Sequence, residues 1–424
     1  MNKKTIKYYM SQSKLPIISH LYKILWSLKN EGIKNTILKT QKKISEKFTK
    51  IIHEYSHKRK LKKILEKHKN KVIMVTPVIV DWNIPLFQRP QHLAMNLAKK
   101  GILYFFCTDN WSYDNVNGFE EIVDGCYLTN RFDLVDKITD RKKYYDLYST
   151  DNITDWEFVE NRLRKGNGII YQYIDEISSD ISGFEIPKKI LKKHFNILKD
   201  ERCIVIPTAT QLEDNVKKYR TKNYKLVSNG VELEHFRQNI NYEKYPDEIK
   251  QIVDKDKPIV GYFGAFASWF DYELIKKLSN ERQDLEILLL GWDYDGSMKK
   301  SNLCKLCNVT IMGPIPYDKL PYYAHCFSVA TVPFLVNDIT KSTSPIKLFE
   351  YMAMGKPIVT TDMPECRKYK SVLIGKNHGE FIKKIDEALS LKDNKDYQNI
   401  LNREAVENSW ETKAKEILEV VRKR

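Results

Sequence analysis

The chain contains no long uninterrupted hydrophobic run. Across 424 residues no segment approaches the roughly 18 apolar residues that a membrane-spanning helix needs. The N-terminal residues also lack an apolar core followed by small residues, which a secretory signal peptide would show. We therefore expect the protein neither to cross a membrane nor to be secreted.

Cysteine is scarce and scattered. The seven cysteines are an odd number at irregular spacings, so they do not indicate a disulfide framework, and a reducing cytoplasm is the expected compartment. Cys304 and Cys307 form one CxxC pair, but neither a second pair nor a nearby histidine completes a zinc site. Asp293 and Asp295 form a DxD sequence between two glycines, which we interpret as a polar loop. No metal site is predicted.

Acidic residues are nearly absent from the first 70 positions. This segment holds 19 Lys and Arg against 4 Asp and Glu, whereas residues 71–424 hold 52 against 51. The basic character therefore belongs to an appendage. It gives little support for nucleic-acid binding by the main body of the protein.

Residues 1–70 are predicted to form a basic, amphipathic helical extension. Leu21, Leu25, Phe48 and Ile52 are among the apolar residues that recur at helical spacing, with lysines between them. Such a helix can lie on an anionic membrane surface, where each lysine contributes about 1 kcal/mol. The alternative is that the apolar stripes pack on the rest of the protein or on a second copy.

From residue 71 onward, buried-strand patterns alternate with helical patterns, which predicts an α/β protein with parallel sheets. The predicted organisation is a Rossmann-like domain over 71–232, a linker over 233–257, a second Rossmann-like domain over 258–395 and C-terminal helices over 396–424. The predicted strands are Val72–Val80, Ile102–Cys107, Gly168–Ile174, Cys203–Ile206, Lys225–Val227, Pro258–Phe263, Leu285–Leu290, Val309–Met312, Ser328–Val332 and Pro357–Thr361.

The segment Ser342–Asp362, STSPIKLFEYMAMGKPIVTTD, predicts a capped helix, its end and a buried strand. Ser344 is suited to cap the helix, and Pro345 to occupy its first position, where the missing N–H costs nothing. Gly355 is expected to end the helix. The β-branched residues after Pro357 are expected to form the next strand.

Lys347 is unusual because it lies in the first turn of this helix. Unpaired N–H groups and the helix dipole make that turn positive, so a lysine there is unfavourable unless an anion lies nearby. Phosphate is a common ligand at such a position. Glu350, one turn further along the same face, is suited to accept hydrogen bonds from ribose hydroxyls. A nucleotide diphosphate would satisfy both side chains.

This segment resembles the donor-binding motif of GT-B-fold glycosyltransferases, in particular the retaining family 4 group and its bacterial cell-surface-polysaccharide members. SNGVELEHF near the linker, NVTIMGPIPYDKLPYY before the helix and SWE near the C-terminus are similar to further family landmarks in the same order. The resemblance covers nearly all of 71–424. It implies two Rossmann-like domains, a nucleotide-sugar donor with no other cofactor, retention of anomeric configuration, and C-terminal helices that cross back to the first domain.

The same resemblance implies roles for single residues. Glu350 would bind the ribose, and Thr343 and Ser344 would offer backbone N–H groups to the diphosphate. The family commonly has a second glutamate eight residues earlier, near the transferred sugar, where this chain has Ser342. The identity of the donor sugar is therefore not predicted.

A glycine turn ends the first strand of the second domain. Gly261 and Gly264 lie in GYFGAF, and such a turn lets the backbone approach a phosphate, although an ordinary strand-to-helix turn explains it equally well. Family members usually place an arginine and a lysine after this turn, whereas the residues that follow here supply no cation. We predict that Lys347 compensates. Trp269 or Phe270 either lines the sugar or nucleobase site or packs in the core.

Two side chains of the first domain are predicted to face the cleft. Arg89 adjoins a proline-started helix on the side where open α/β sheets bind ligands, so it would bind an anionic acceptor such as the diphosphate of a lipid-linked sugar. The alternative is a surface arginine paired with an acidic neighbour such as Asp81. Asp175 follows a strand and would orient an acceptor hydroxyl or accept its proton. Its alternative is to cap a helix.

These observations predict a cytoplasmic glycosyltransferase on the inner face of the cell membrane. It would move a sugar from a nucleotide-diphosphate donor to a glycan or lipid-linked acceptor in cell-surface polysaccharide synthesis. Lys347 and the helix N-terminus would stabilise the charge that grows on the leaving diphosphate, and Asp175 would act on the acceptor. A nucleotide-sugar epimerase on the same fold and a membrane-surface scaffold with a degenerate donor site are the alternatives.

Overall fold

The computed structural model describes residues 54–85, 87–177 and 185–423. The chain divides into two units, Met1–Lys69 and Asn70–Arg424. In the first unit, residues 54–67 are helical. Residues 1–53 of the predicted extension, with Leu21, Leu25, Phe48 and Ile52, lie outside the described residues. Within the described part of the chain, no helix combines the length and apolar character needed to cross a membrane.

The second unit consists of two lobes, and each lobe is built on one sheet. The first sheet contains β1 (Ile73–Thr76), β2 (Leu103–Cys107), β3 (Phe119–Val123), β4 (Cys126–Thr129), β5 (Lys143–Tyr148), β6 (Gly168–Tyr173) and β7 (Cys203–Pro207). Its order is β3-β4-β2-β1-β5-β6-β7, and all its pairings are parallel except that of β3 with β4. Its helices are α1 (Arg89–Lys99), α2 (Phe132–Asp136), α3 (Trp156–Arg164), α4 (Lys188–Lys199) and α5 (Thr210–Lys217).

The second sheet is parallel throughout. Its strands are β8 (Ile259–Phe263), β9 (Glu286–Leu290), β10 (Val309–Met312), β11 (Val329–Val332), β12 (Ile358–Thr361) and β13 (Val372–Gly375), in the order β10-β9-β8-β11-β12-β13. The helices of this half are α6 (Leu233–Phe236), α7 (Asp247–Val253), α8 (Tyr272–Glu281), α9 (Ser297–Ser301), α10 (Leu320–Ala324), α11 (Asp338–Lys341), α12 (Ile346–Ala353), α13 (His378–Leu391) and α14 (Lys395–Glu407). The predicted α/β fold with two Rossmann-like domains is confirmed.

Strands were predictable where the sequence is continuously apolar. Helices cover both faces of a parallel sheet, so its inner strands are buried on both sides and read as apolar runs, as in β2 and β9. The strands β3, β4, β5 and β13 were not predicted. In β5, Lys143 and Asp146 interrupt the apolar pattern, but both are buried and hydrogen-bonded. In β3, exposed glutamates mark the edge of the sheet.

The predicted strand Lys225–Val227 is wrong. The backbone there runs beside β7, with Lys225 N–H donating to Val205 O at 3.1 Å and Val227 N–H donating to Pro207 O at 2.9 Å. No regular strand results because Pro207 has no N–H to return a ladder hydrogen bond.

The C-terminal helices divide between the lobes. Tyr397 and Leu401 of α14 pack in the core of the second lobe. The last helix, α15 (Trp410–Arg422), packs in the core of the first lobe beside α1. Of these two helices only α15 therefore crosses back, whereas the resemblance implied that the whole of 396–424 would. The segment that leads into α15 is hydrogen-bonded to the segment at Val231. Val231 N–H donates to Asn408 O and Trp410 N–H donates to Val231 O, both at 3.0 Å.

Candidate active site

A cleft of about 590 Å³ lies between the two lobes. On one side it is lined by residues that follow β5 and β6 and by the start of α1. On the other side it is lined by residues that follow β8 and by the start of α12. The structure brings all the predicted site residues to this one cleft, namely Arg89, Asp175, Gly264, Thr343, Ser344, Lys347 and Glu350.

The helix α12 begins later than predicted. Pro345 is its N-cap, with φ −70° and ψ 116°, and no side chain caps the helix. The prediction that Ser344 caps it is wrong, because Pro345 remains extended and leaves Ser344 outside the capping position. The Ser344 hydroxyl instead accepts from the Asn229 N–H at 3.3 Å. Lys347 is thus the second residue of the helix, and Gly355, at φ +66°, follows its end as predicted.

The Lys347 ammonium lies against the glycine turn after β8. Its Nζ is 5.4 Å from the ring centre of Tyr262 and 5.0 Å from that of Phe334. Gly264 has φ +135°, and a Cβ there would be 2.8 Å from Lys347 Cε and 3.3 Å from Nζ. Among the described residues, no carboxylate forms an ion pair with Lys347. Burial lowers the pKa of Lys347 to about 8, against the opposing effect of Glu350.

Glu350 lies one turn further into α12 and is buried, with 6% of its surface exposed. Burial raises the pKa of Glu350 to about 8, while the Lys347 charge acts in the opposite direction. A buried carboxyl that faces a cleft is costly unless a partner satisfies it. Its position is therefore suited to the hydroxyls of a bound ligand.

The N–H groups before α12 do not all face the cleft as the resemblance implied. The Thr343 N–H donates to the Thr340 carbonyl at 3.2 Å. The expectation that this N–H would bind a diphosphate is therefore wrong. Ser342 is 2% exposed. Its hydroxyl donates to the Ile339 carbonyl at 3.0 Å, so it contributes to the turn after α11 rather than to the cleft.

Arg89 lines the cleft, but its guanidinium has protein partners. It donates to the Gln172 side-chain oxygen at 2.9 and 3.2 Å and to the Ser228 carbonyl at 2.9 Å. Burial lowers the pKa of Arg89 to about 10. The alternative of a surface arginine paired with Asp81 is wrong, because Arg89 is 2% exposed and Asp81 binds the loop at 108–113.

Asp175 lies across the cleft from α12. Its carboxylate accepts no hydrogen bond from the described residues, and burial raises the pKa of Asp175 to about 6. The neighbouring Glu176 differs, because it accepts from Tyr173 at 2.9 Å and from Asn215 at 2.8 Å. Asp175 therefore lines the cleft without a side-chain hydrogen bond from the described residues.

Two other sequence predictions are resolved by the structure. Trp269 lines the cleft, whereas Phe270 is 1% exposed and packs in the core. In the DxD loop, Asp293 accepts backbone N–H groups at the start of α9, and Asp295 accepts those of Ser297 and Ser268.

Sequence reasoning did not identify Asn229 as a site residue. Its side-chain oxygen accepts from Arg89 at 3.3 Å, and its side-chain amide donates to the Ser344 carbonyl at 2.7 Å. Tyr262 and Phe334, which lie beside the Lys347 ammonium, were also missed. They read as core residues because their side chains are buried within or just after strands.

The two lobes and the cleft between them define a GT-B glycosyltransferase fold, and residues 257–390 match the family model described as glycosyl transferases group 1. The chain is 24% identical over 264 residues to TuaH of Bacillus subtilis, a protein assigned as a teichuronic acid biosynthesis glycosyltransferase. That match covers 59% of this chain and 66% of the relative.

Solved structures share the fold. Alr3699/HepE of Anabaena in complex with UDP matches with a TM-score of 0.59 and 12% identity, over 83% of this chain and 100% of that one. A UDP-forming trehalose-phosphate synthase of Burkholderia vietnamiensis matches with a TM-score of 0.60 and 10% identity, over 84% and 99% of the two chains.

Proposed function

We propose that this protein is a glycosyltransferase that moves a sugar from a nucleotide-diphosphate donor to a glycan or lipid-linked acceptor in cell-surface polysaccharide synthesis. The observation that carries the proposal is the Lys347 ammonium, which lies without an ion-pair partner among the described residues, at the start of a helix and beside a glycine turn. Such an arrangement favours an anion. The assignment of TuaH and the UDP-glucose complex of HepE support a sugar nucleotide as that anion.

In this proposal the donor lies on the second lobe. Its diphosphate contacts Lys347 and the Gly264 turn, and its ribose contacts Glu350. When the bond between the anomeric carbon and the diphosphate breaks, negative charge grows on the diphosphate, and Lys347 with the start of α12 stabilises it there. We propose retention of the anomeric configuration on the resemblance alone.

The reacting hydroxyl of the acceptor lies at the first lobe. Asp175, whose pKa is raised by burial to about 6, is mostly ionised at neutral pH, so it can accept a hydrogen bond or a proton from the attacking hydroxyl. Arg89 positions the start of α1 through Gln172 and Ser228. A direct contact of Arg89 with the acceptor stays a prediction. Closure of the lobes would exclude water and limit donor hydrolysis.

We also propose that the basic extension holds the protein at an anionic membrane surface on the cytoplasmic side. The support is the charge asymmetry, since residues 1–70 contain 19 of the 71 Lys and Arg but only 4 of the 55 Asp and Glu. A lipid-linked acceptor would be presented at such a surface.

Calorimetric titration with UDP and GDP, followed by transfer assays with a panel of labelled nucleotide sugars and a membrane extract, tests the proposal. We expect one nucleotide to bind and the label to appear in a glycan or glycolipid. Label that remains on the nucleotide as an isomeric sugar would indicate an epimerase. Binding of neither nucleotide would indicate a scaffold.

A further inference from the structure

Three aromatic side chains form a surface at the rim of the cleft, on the second lobe. Trp269 and Tyr294 line the cleft itself, and Trp292 extends the surface away from it. Tyr294 is 60% exposed and Trp292 is 38% exposed. Large aromatic side chains are rarely left this accessible in a cluster unless a ligand covers them.

The three rings form one contiguous cluster. The ring centres of Trp269 and Tyr294 are 5.9 Å apart with planes inclined by 40°, and those of Tyr294 and Trp292 are 6.3 Å apart with planes inclined by 25°. Trp292 and Tyr294 flank Asp293, which forms an isolated β-bridge with Phe266.

The backbone beneath the rings is fixed. Phe266 N–H donates to the Trp292 carbonyl at 2.9 Å, and Tyr294 N–H donates to the Phe266 carbonyl at 2.8 Å, which joins the two loops that carry the rings. Gly291 has φ +152°, and a Cβ there would be 1.9 Å from the Gly264 carbonyl oxygen, so the loops are in direct contact. The aromatic surface is therefore tied to the same turn that faces Lys347.

The polar groups around the rings favour one class of partner. Asp293 and Asp295 flank Tyr294, are exposed, and accept backbone N–H groups. Carboxylates can still accept further hydrogen bonds, for example from hydroxyl groups. They would also repel an anionic membrane. Flat apolar faces beside carboxylates suit a glycan, because its C–H faces can lie on the rings while its hydroxyls donate to the acids.

We infer that the aromatic surface of Trp269, Tyr294 and Trp292 binds sugar units of the acceptor glycan beyond the one that reacts. This inference rests on the proposed function, since it makes the acceptor a chain of several sugars rather than a single lipid-linked sugar. The observation that supports the inference is the continuity of the aromatic surface with the cleft. The reacting end of the chain would lie near Asp175, and the preceding units would lie along the rings.

The test is a fluorine NMR titration of the full-length protein labelled with 5-fluorotryptophan. The probes are size-fractionated oligosaccharides, with the corresponding monosaccharides, released from the cell-surface polysaccharides of the organism that encodes the protein. Trp269→Phe and Trp292→Phe assign the two signals. We expect oligosaccharides, but not monosaccharides, to shift both, while the signal of exposed Trp111 in the first lobe remains in place.

Tyr294→Ala should weaken oligosaccharide binding by about three- to tenfold, as expected for the loss of one aromatic contact. Trp111→Ala is the matched control and should have no effect. UDP and GDP titrations of the same samples report on the donor site separately. Oligosaccharide binding without nucleotide binding would contradict the proposed function, but it would still show that the aromatic surface binds glycans.

Two outcomes would overturn the inference. The first is that the Trp269 and Trp292 signals stay unmoved up to the solubility limit of the oligosaccharides. The second is that these signals move with protein concentration alone, which would show that a second copy of the chain covers the rings.

Discussion

The side-chain amide of Asn229 donates to the Ser344 carbonyl at 2.7 Å, while its side-chain oxygen accepts from Arg89 at 3.3 Å. One side chain therefore connects the start of α1 in the first lobe with the residues that precede α12 in the second. Arg89 completes the connection through Gln172 in β6. This path joins the two sides of the cleft.

Asn229→Ala should lower both stability and transfer activity. It leaves Arg89 short of an acceptor and removes the donor to Ser344, which is expected to cost about 1–3 kcal/mol of unfolding free energy. Urea unfolding and the kcat/KM of transfer measure the two effects. Asn239→Ala, at an exposed position, is the control. An unchanged urea midpoint together with wild-type kcat/KM would show that the connection is unimportant.

Lys347→Ala should lower kcat more than it weakens nucleotide binding. The charge that Lys347 faces grows in the transition state, so removing it should lower kcat by about 10²–10³, the usual effect of losing one electrostatic donor. Single-turnover kinetics and calorimetry measure the two quantities. Lys341→Ala, whose side chain pairs with Asp338 in the helix before the site, is the control. Wild-type turnover in folded Lys347→Ala would refute the assignment.

Glu350→Ala should weaken binding of the nucleotide and of the nucleotide sugar to the same extent. Both ligands contain the ribose, and the loss of one hydrogen bond costs about 0.5–1.5 kcal/mol. Calorimetric titration of UDP or GDP, whichever binds the wild type, and of the matching sugar nucleotide measures this. Unequal losses would place Glu350 near the transferred sugar instead.

The pH dependence of kcat/KM should be bell-shaped. Burial raises the pKa of Asp175 to about 6, so activity should fall below this pH as the carboxylate is protonated. Burial lowers the pKa of Lys347 to about 8, so activity should fall above this pH as the ammonium loses its charge. Asp175→Asn should retain nucleotide binding and lose the acid limb along with most activity. Lys347→Arg should shift the alkaline limb of the profile to higher pH. If this limb does not move, it reports the titration of another group.

Gly264→Ala should weaken nucleotide binding in a folded protein. The added Cβ would be 2.8 Å from Lys347 Cε, and it would force the ammonium away from the turn. Gly296→Ala is the matched control, because it also has positive φ, at +79°, but its Cβ meets no atom within 4 Å. Circular dichroism monitors folding, and calorimetry monitors binding. Equal loss of binding in both variants would point to backbone strain rather than to the site.

The full-length protein should bind vesicles that contain anionic lipid and leave them as salt increases. Screening shortens the Debye length from about 10 Å at 0.1 M to about 3 Å at 1 M. A chain of residues 71–424 should remain soluble, bind nucleotide and stay in the supernatant. If the apolar stripes of 1–70 instead pack on the body, this chain should aggregate. Negligible pelleting of both proteins would exclude the membrane role.

Sequence patterns indicated the fold and the cleft better than they indicated individual contacts. Lys347 and Glu350 were predictable because helix-terminal electrostatics is a local property, set by residues within one turn. The partners of Arg89 were not, because Gln172 and Ser228 are distant in the sequence and meet Arg89 only when the first lobe folds. The burial of polar residues in β5 has the same origin, since Asp146 is satisfied by Gln172 from β6 and by Tyr104 from β2.

The return of α15 to the first lobe has a consequence for the order in which the chain folds during synthesis. Trp410 and Ile417 complete the core beside α1, yet they leave the ribosome only after the whole second lobe. The first lobe must therefore wait with an uncovered apolar surface while residues 259–407 emerge and fold. In this protein the domain that is translated first is the one that is completed last, which reverses the usual order for multidomain chains.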